Sequence, residues 1–239
     1  MQVATRAIVF SSLKYGDTSL IVKAFTQSDG LKSYLLKGVL SSKRGKLKTA
    51  YFQPLTQLEL IANHKNKGTL ETIKEAKVIY PYKTLHTHVV KNSIVLFLAE
   101  MLGSSIQEEE KDESLYNYLE YSLNWMDDHE NIANFHILFL LNLTKYLGFY
   151  PDTSYQKEAY FDLLEGNFSI RPSLNPIIQG STLDCFRQFL GINFDALLTI
   201  KMNKTNRQEL LQAVILYFGL HLHGFRKPRS LAVLNAVFD

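Results

Sequence analysis

The strongest constraint on the fold is a change of hydrophobic period at Pro81. Upstream of it, short β-branched and aromatic runs lie between turn signals; downstream, apolar residues recur at helical spacing. Residues 3–10 carry an apolar row at Val3, Ala7 and Val9, and Tyr15-Gly16-Asp17 closes that strand. Residues 19–26 (SLIVKAFT) form a second strand, which Ser28-Asp29-Gly30 turns into a third. Residues 57–61 alternate, with Leu58 and Leu60 on one face and Gln57 and Glu59 on the other. Residues 63–68 make a polar turn and residues 69–80 a fifth strand. Short strands at this spacing predict a small closed β-barrel of the OB type over residues 1–80. Closure also removes the exposed edges that such a unit would otherwise present.

Residues 81–239 predict a mostly α-helical domain, so the fold class is α+β. A helix over 85–102 carries Val89, Val90, Ile94, Phe97, Leu98 and Met101 at helical spacing, with Gly103 as its C-cap. The acidic run at 107–113 reads as an exposed connection into a helix over 114–126, where the helix dipole favours its acids. Residues 132–147 are apolar nearly all round, which places that helix at the centre of a bundle. Residues 149–180 leave the helical pattern: 159–163 and 167–170 pair as a hairpin, and Pro172 and Pro176 keep the following chain irregular. Short helices follow at 182–190 and 194–200. Thr205 then opens the last long helix as a capping box with Gln208.

Charge is divided as sharply as period. The chain of 239 residues carries +3 overall, yet residues 1–80 hold 13 Lys and Arg against 5 Asp and Glu, a balance of +8. The remainder is −5. Much of the excess sits in residues 31–48, LKSYLLKGVLSSKRGKLK, with Lys32, Lys37, Lys43, Arg44, Lys46 and Lys48 and no acid. A cationic strand feeding a cationic loop suits a polyanion, since each Lys or Arg neutralises a phosphate and releases its counterions. A solvated loop that only aids solubility has the same composition. The charge asymmetry favours a nucleic-acid-binding module, with Lys14, Lys65 and Lys67 adding phosphate contacts. Aromatic rings beside such cations can stack on bases. Tyr15, Phe25, Tyr34, Tyr51 and Phe52 lie in or near the module, and Tyr34 and Tyr51 are the candidates, being next to cations or at loop ends.

Catalysis finds no support in the residues. Walker and GxGxxG loops are absent. The one cysteine, Cys185, lies between apolar neighbours and reads as a buried, inert thiol. The pairs His86/His88 and His221/His223 are two apart, so on a helix they point to different faces and do not chelate. No apolar run approaches a membrane span and the N-terminus lacks a signal-peptide pattern, so a soluble, cytoplasmic protein without cofactor or metal is expected.

The ordered set AIVFSSLKYGDTSLIVKAFTQSDGLKSYLLKGV, a basic loop, FQPLTQLELI, then YLGFYPD, YFDLLEGNF and HLHGFRKPRSLAVL resembles the RecO recombination-mediator family over nearly the whole chain. The resemblance implies an OB barrel followed by a helical domain, and non-enzymatic work in DNA repair at the nucleoid. RecO-like proteins bind single- and double-stranded DNA and anneal complementary strands. They engage the C-terminal tail of single-stranded DNA-binding protein, and with RecR they help load RecA. An acidic tail with an apolar end needs a cation beside an apolar surface, and Phe225, Arg226, Lys227 and Arg229 are the candidates here. Many family members carry a four-cysteine zinc site in the region corresponding to 149–180. Residues 152–180 contain no cysteine, so no zinc is expected there, and Tyr160, Phe161 and Phe168 would hold the hairpin instead. The alternative is a protein-interaction adaptor whose basic loop binds no DNA.

Overall fold

A computed structural model describes residues 1–41, 47–65 and 67–238. The chain divides into two compact units, Met1–Asp128 and His129–Asp239. In the first, β1 (Gln2–Tyr15), β2 (Ser19–Thr26), β3 (Gly30–Leu36), β4 (Gln57–Asn63) and β5 (Thr72–Val78) form one antiparallel sheet in the order β3-β2-β1-β4-β5. Its two outer strands approach each other. Tyr34 of β3 and Glu71, just ahead of β5, form a parallel bridge, with Leu35 N donating to Glu71 O and Glu71 N to Ser33 O. The OB strand order and this single bridge are present; the described residues form no continuous closing ladder.

β1 runs to Tyr15, where the Tyr15-Gly16-Asp17 turn closes it, and it carries a bulge between Val9 and Ser11. Before the bulge Ala7 and Val9 face the sheet's inner core with Val22, Ala24, Tyr34, Leu36, Leu58 and Leu60. Ile8 and Phe10 are buried as well. Phe10 stacks on Phe25 at 6.0 Å, and Phe25 lies 6.4 Å from Tyr116, so this second apolar layer meets the helices. Those helices are α1 (Val89–Ser105) and α2 (Glu113–Asp128). The carboxylate of Asp127, near the end of α2, accepts the backbone N–H groups of Lys83, Thr84 and Leu85 at 2.8, 2.8 and 3.1 Å. It thereby fixes the segment leading into α1. The buried Lys91 ammonium donates to Thr84 Oγ1 and Asp127 O.

Gly103 does not cap α1. The helix runs through it to Ser105 and closes with Ile106 N donating to Leu102 O. A glycine inside a helix costs only about 1 kcal/mol, which surrounding burial outweighs. The acidic connection is exposed, as its charge implies, yet it is also docked on the β2–β3 turn. There Glu108 O accepts from Leu31 N at 3.1 Å.

In the second unit α3 (Phe135–Tyr146) is buried along nearly its whole length. β6 (Tyr160–Asp162) pairs with β7 (Asn167–Ser169) as expected, and β8 (Ile177–Gln179) adds a third strand on the other side of β6. α4 (Gly180–Phe189), α5 (Lys204–His221) and α6 (Leu231–Val237) complete the unit. The N-cap of α5 is Asn203, whose side chain accepts from Asn206 N at 2.8 Å, rather than Thr205. The helix begins before Thr205, which is therefore inside the first turn. No helix among the described residues is long and apolar enough to cross a membrane.

Candidate nucleic-acid interface

β3 carries the basic stretch into its loop. Gly38 turns the chain with a φ of 69°, Val39 plugs the core, and Leu40 N donates to Thr18 O at 2.9 Å, tying the loop's start to the β1–β2 turn. Lys37 is exposed just beyond β3. Lys14 is exposed on β1 opposite Leu20, itself opposite Leu36, so the ladder holds Lys14 near the same end of the sheet. Lys43, Arg44 and Lys46 lie outside the described residues. The chain returns with Leu47 packed on the core and Lys48 exposed. The Lys48 ammonium sits 5.9 Å from the ring centre of Tyr51, a half-buried residue in the 3-10 turn Thr49–Phe52. Lys65 and Lys67 are exposed in the β4–β5 connection. Glu71 holds the base of that connection by accepting Lys65 N with both carboxylate oxygens at 2.9 Å. Because Asn63 pairs with Gln2, this second cationic group flanks the opposite end of β1 from Lys14. The structure thus brings Lys14 and Lys37 to one end of the sheet and keeps Lys65 and Lys67 at the other.

Two candidates are corrected. Tyr34 is wholly buried, and its hydroxyl is 2.8 Å from His64 Nε2, so the ring is part of the core and offers no face to a base. Burial, with the nearby charges of Asp29 and Glu71, pushes its hydroxyl pKa up. Lys32 is only 6% exposed and its ammonium lies 3.4 Å from Glu109. Both share the inward parity of Leu36 along β3. Reading the stretch for its charge alone missed that alternation.

In the second unit, Phe225 is half-buried with its ring 5.9 Å from Phe218 of α5. Arg226, Lys227 and Arg229 are exposed, and the Lys227 ammonium lies 3.3 Å from Gln212 Oε1. An apolar ring flanked by exposed cations is the arrangement that an acidic peptide ending in apolar side chains would fit.

The region corresponding to the zinc site of other family members has, among its described residues, no donor set that fits the metal. Residues 152–180 contain neither cysteine nor histidine, and the Asp162 carboxylate already accepts from Leu164 N, Glu165 N and Asn175 Nδ2. Phe161 lies 5.0 Å from Phe168 and 4.7 Å from Phe186, so aromatic packing ties the small sheet to α4. Tyr160 is half-exposed and outside that cluster. Arg187 of α4 donates to Gln156 O at 2.6 Å and to Glu158 O, which holds the irregular chain before β6.

Three of the four paired histidines have separate structural uses, and His223 is exposed. His86 Nε2 donates to Pro54 O, and His88 caps α1. His221 donates to Leu163 O and stacks on Phe149. Cys185 is buried.

Comparison with known proteins covers the same span. The family described as recombination protein O N terminal matches residues 1–82, and recombination protein O C terminal matches residues 86–231. The chain is 53% identical over 238 residues to the DNA repair protein RecO of Christiangramia forsetii, covering all of both chains. It is 49% identical over 239 residues to that of Flavobacterium psychrophilum, again over the full length of both. With that of Bacteroides fragilis it is 38% identical over 98% of each chain.

Proposed function

Because this chain belongs to the RecO family of DNA repair and recombination proteins, we propose that it is a non-enzymatic mediator that binds single- and double-stranded DNA and anneals complementary strands. The observation that carries this reading is the acid-free basic stretch of residues 30–58, whose Lys37 and Lys48 are exposed while the neighbouring Lys14 extends the charge. Lys37, Lys43, Arg44, Lys46 and Lys48 contact phosphates, with Lys14, Lys65 and Lys67 in support, and the sheet acts as a closed OB barrel. Contacts to phosphates position a strand and leave its bases unread, so pairing with a complement stays possible. The second unit engages the acidic tail of single-stranded DNA-binding protein through Phe225, Arg226, Lys227 and Arg229. With RecR the complex loads RecA at the nucleoid. The region 149–180 works without zinc, supported by the packing of Phe161, Phe168 and Phe186.

The test is binding and annealing by the intact protein across a salt series, using two single strands of unrelated sequence and one duplex. Equal affinity for both strands is expected, falling with salt at a log–log slope of about 0.7 for each phosphate neutralised. Absence of binding at low salt would leave the adaptor reading.

A further inference from the structure

The bulge in β1 divides the outer surface of its sheet into two parts. Before it lies the layer of Ile8, Phe10 and Phe25, which meets the helices. Beyond it the register sets Leu13 opposite Ile21, and Ile21 opposite Leu35, so three apolar side chains form a row across β1, β2 and β3. Paired residues share a face. The core positions are Leu20, Val22 and Leu36, so this row faces outward. Leu13 is 65% exposed, while Ile21 and Leu35 are half-buried. Tyr15, two residues further along β1 on the same face, is 56% exposed and about 7 Å beyond Leu13. Exposed Lys37 lies just beyond β3 at this end of the sheet, and exposed Lys14, paired with Leu20, stands at the same end on the other face.

An exposed aromatic ring and an apolar row, with exposed lysines at the same end of the sheet, match the two parts of an unpaired nucleic-acid strand, its bases and its phosphates. Duplex DNA, whose bases are already stacked, has no use for the ring. We infer that Tyr15, with the Leu13–Ile21–Leu35 row, is the platform on which bases of single-stranded DNA stack. The inference deepens the function proposed above and rests on it. It also supplies a ring where Tyr34 is unavailable.

The measurement is fluorescence anisotropy of the full-length protein with labelled oligothymidine, a duplex of equal length and an abasic phosphodiester strand. Tyr15→Ala is expected to weaken oligothymidine binding about tenfold. Tyr15→Phe should bind as the unaltered protein does. Neither change should alter binding to duplex or abasic strand, because the phosphate contacts remain. Unchanged oligothymidine affinity in Tyr15→Ala, or an equal loss on all three ligands, overturns the platform while leaving DNA binding in place. If the unaltered protein binds none of the three at low salt, the parent reading falls too.

Discussion

The Tyr34 hydroxyl is the inner end of a buried chain of polar groups. His64 sits 3.1 Å from Asp29 through Nδ1 and 2.8 Å from Tyr34 through Nε2. A neutral ring that donates to Asp29 must accept from the tyrosine, so each group answers the next. Tyr34→Phe leaves the His64 acceptor unsatisfied in the core. It should lower stability by about 1–3 kcal/mol in urea unfolding, with strand binding unchanged once the protein is folded. His136 of α3 offers a pH test in the other unit. Burial first, and then the nearby Arg207 charge, pushes its pKa down to about 3. The unfolded chain, with a histidine near 6.5, binds the proton more readily. Stability from the neutral ring is therefore full above about pH 6.5 and declines toward pH 3, by up to about 1.4 kcal/mol per pH unit. His136→Phe should flatten that part of the pH–stability curve, and a parallel curve would contradict the assignment. At this scale sequence was a partial guide: the exposure of Lys14, Lys37 and Lys48 was readable, whereas the burial of Lys32 depended on a glutamate 77 residues away.

At the level of elements, the edges of the first sheet decide much of the architecture. The outward backbone groups of β3 at Leu31, Ser33 and Leu35 are met by Glu108 and Glu71, so this edge is covered by connecting segments. Gly30 permits the first of these contacts. Its φ is 63°, and a Cβ there would lie 2.2 Å from Glu110 O. Gly30→Ala should destabilise the protein by roughly 2–5 kcal/mol, combining a left-handed backbone with a clash against main chain. Gly16→Ala, with a φ of 61° and open space around it, should cost only about 1–2 kcal/mol. Equal losses in urea unfolding would contradict the docking of the acidic connection. The strands β2 and β4 were legible from alternation and turn residues. The end of β1 at Tyr15 was legible too, but its bulge was not, and the bulge reverses which residues face the core beyond Phe10. The C-cap assigned to Gly103 and the N-cap assigned to Thr205 rested on residue type, and neighbouring burial and Asn203 decided otherwise.

For the whole molecule, period and charge change near the same place in the chain, and the two family matches meet there as well, at residues 82 and 86. The compact units divide later, after Asp128, because α1 and α2 cover the second face of β1 within the first unit. The basic character of the first eighty residues, +8 by formal charge, is what the central claim depends on. The most direct test is the rate at which the intact protein anneals complementary strands after Lys37, Lys43, Arg44, Lys46 and Lys48 are all changed to Glu. Thermal unfolding should match the unaltered protein, since Lys37 and Lys48 are exposed. The predicted result is loss of annealing together with loss of the steep salt dependence of strand binding. Annealing at the unaltered rate by a folded variant would contradict the account and remove the basic stretch as its DNA-binding site.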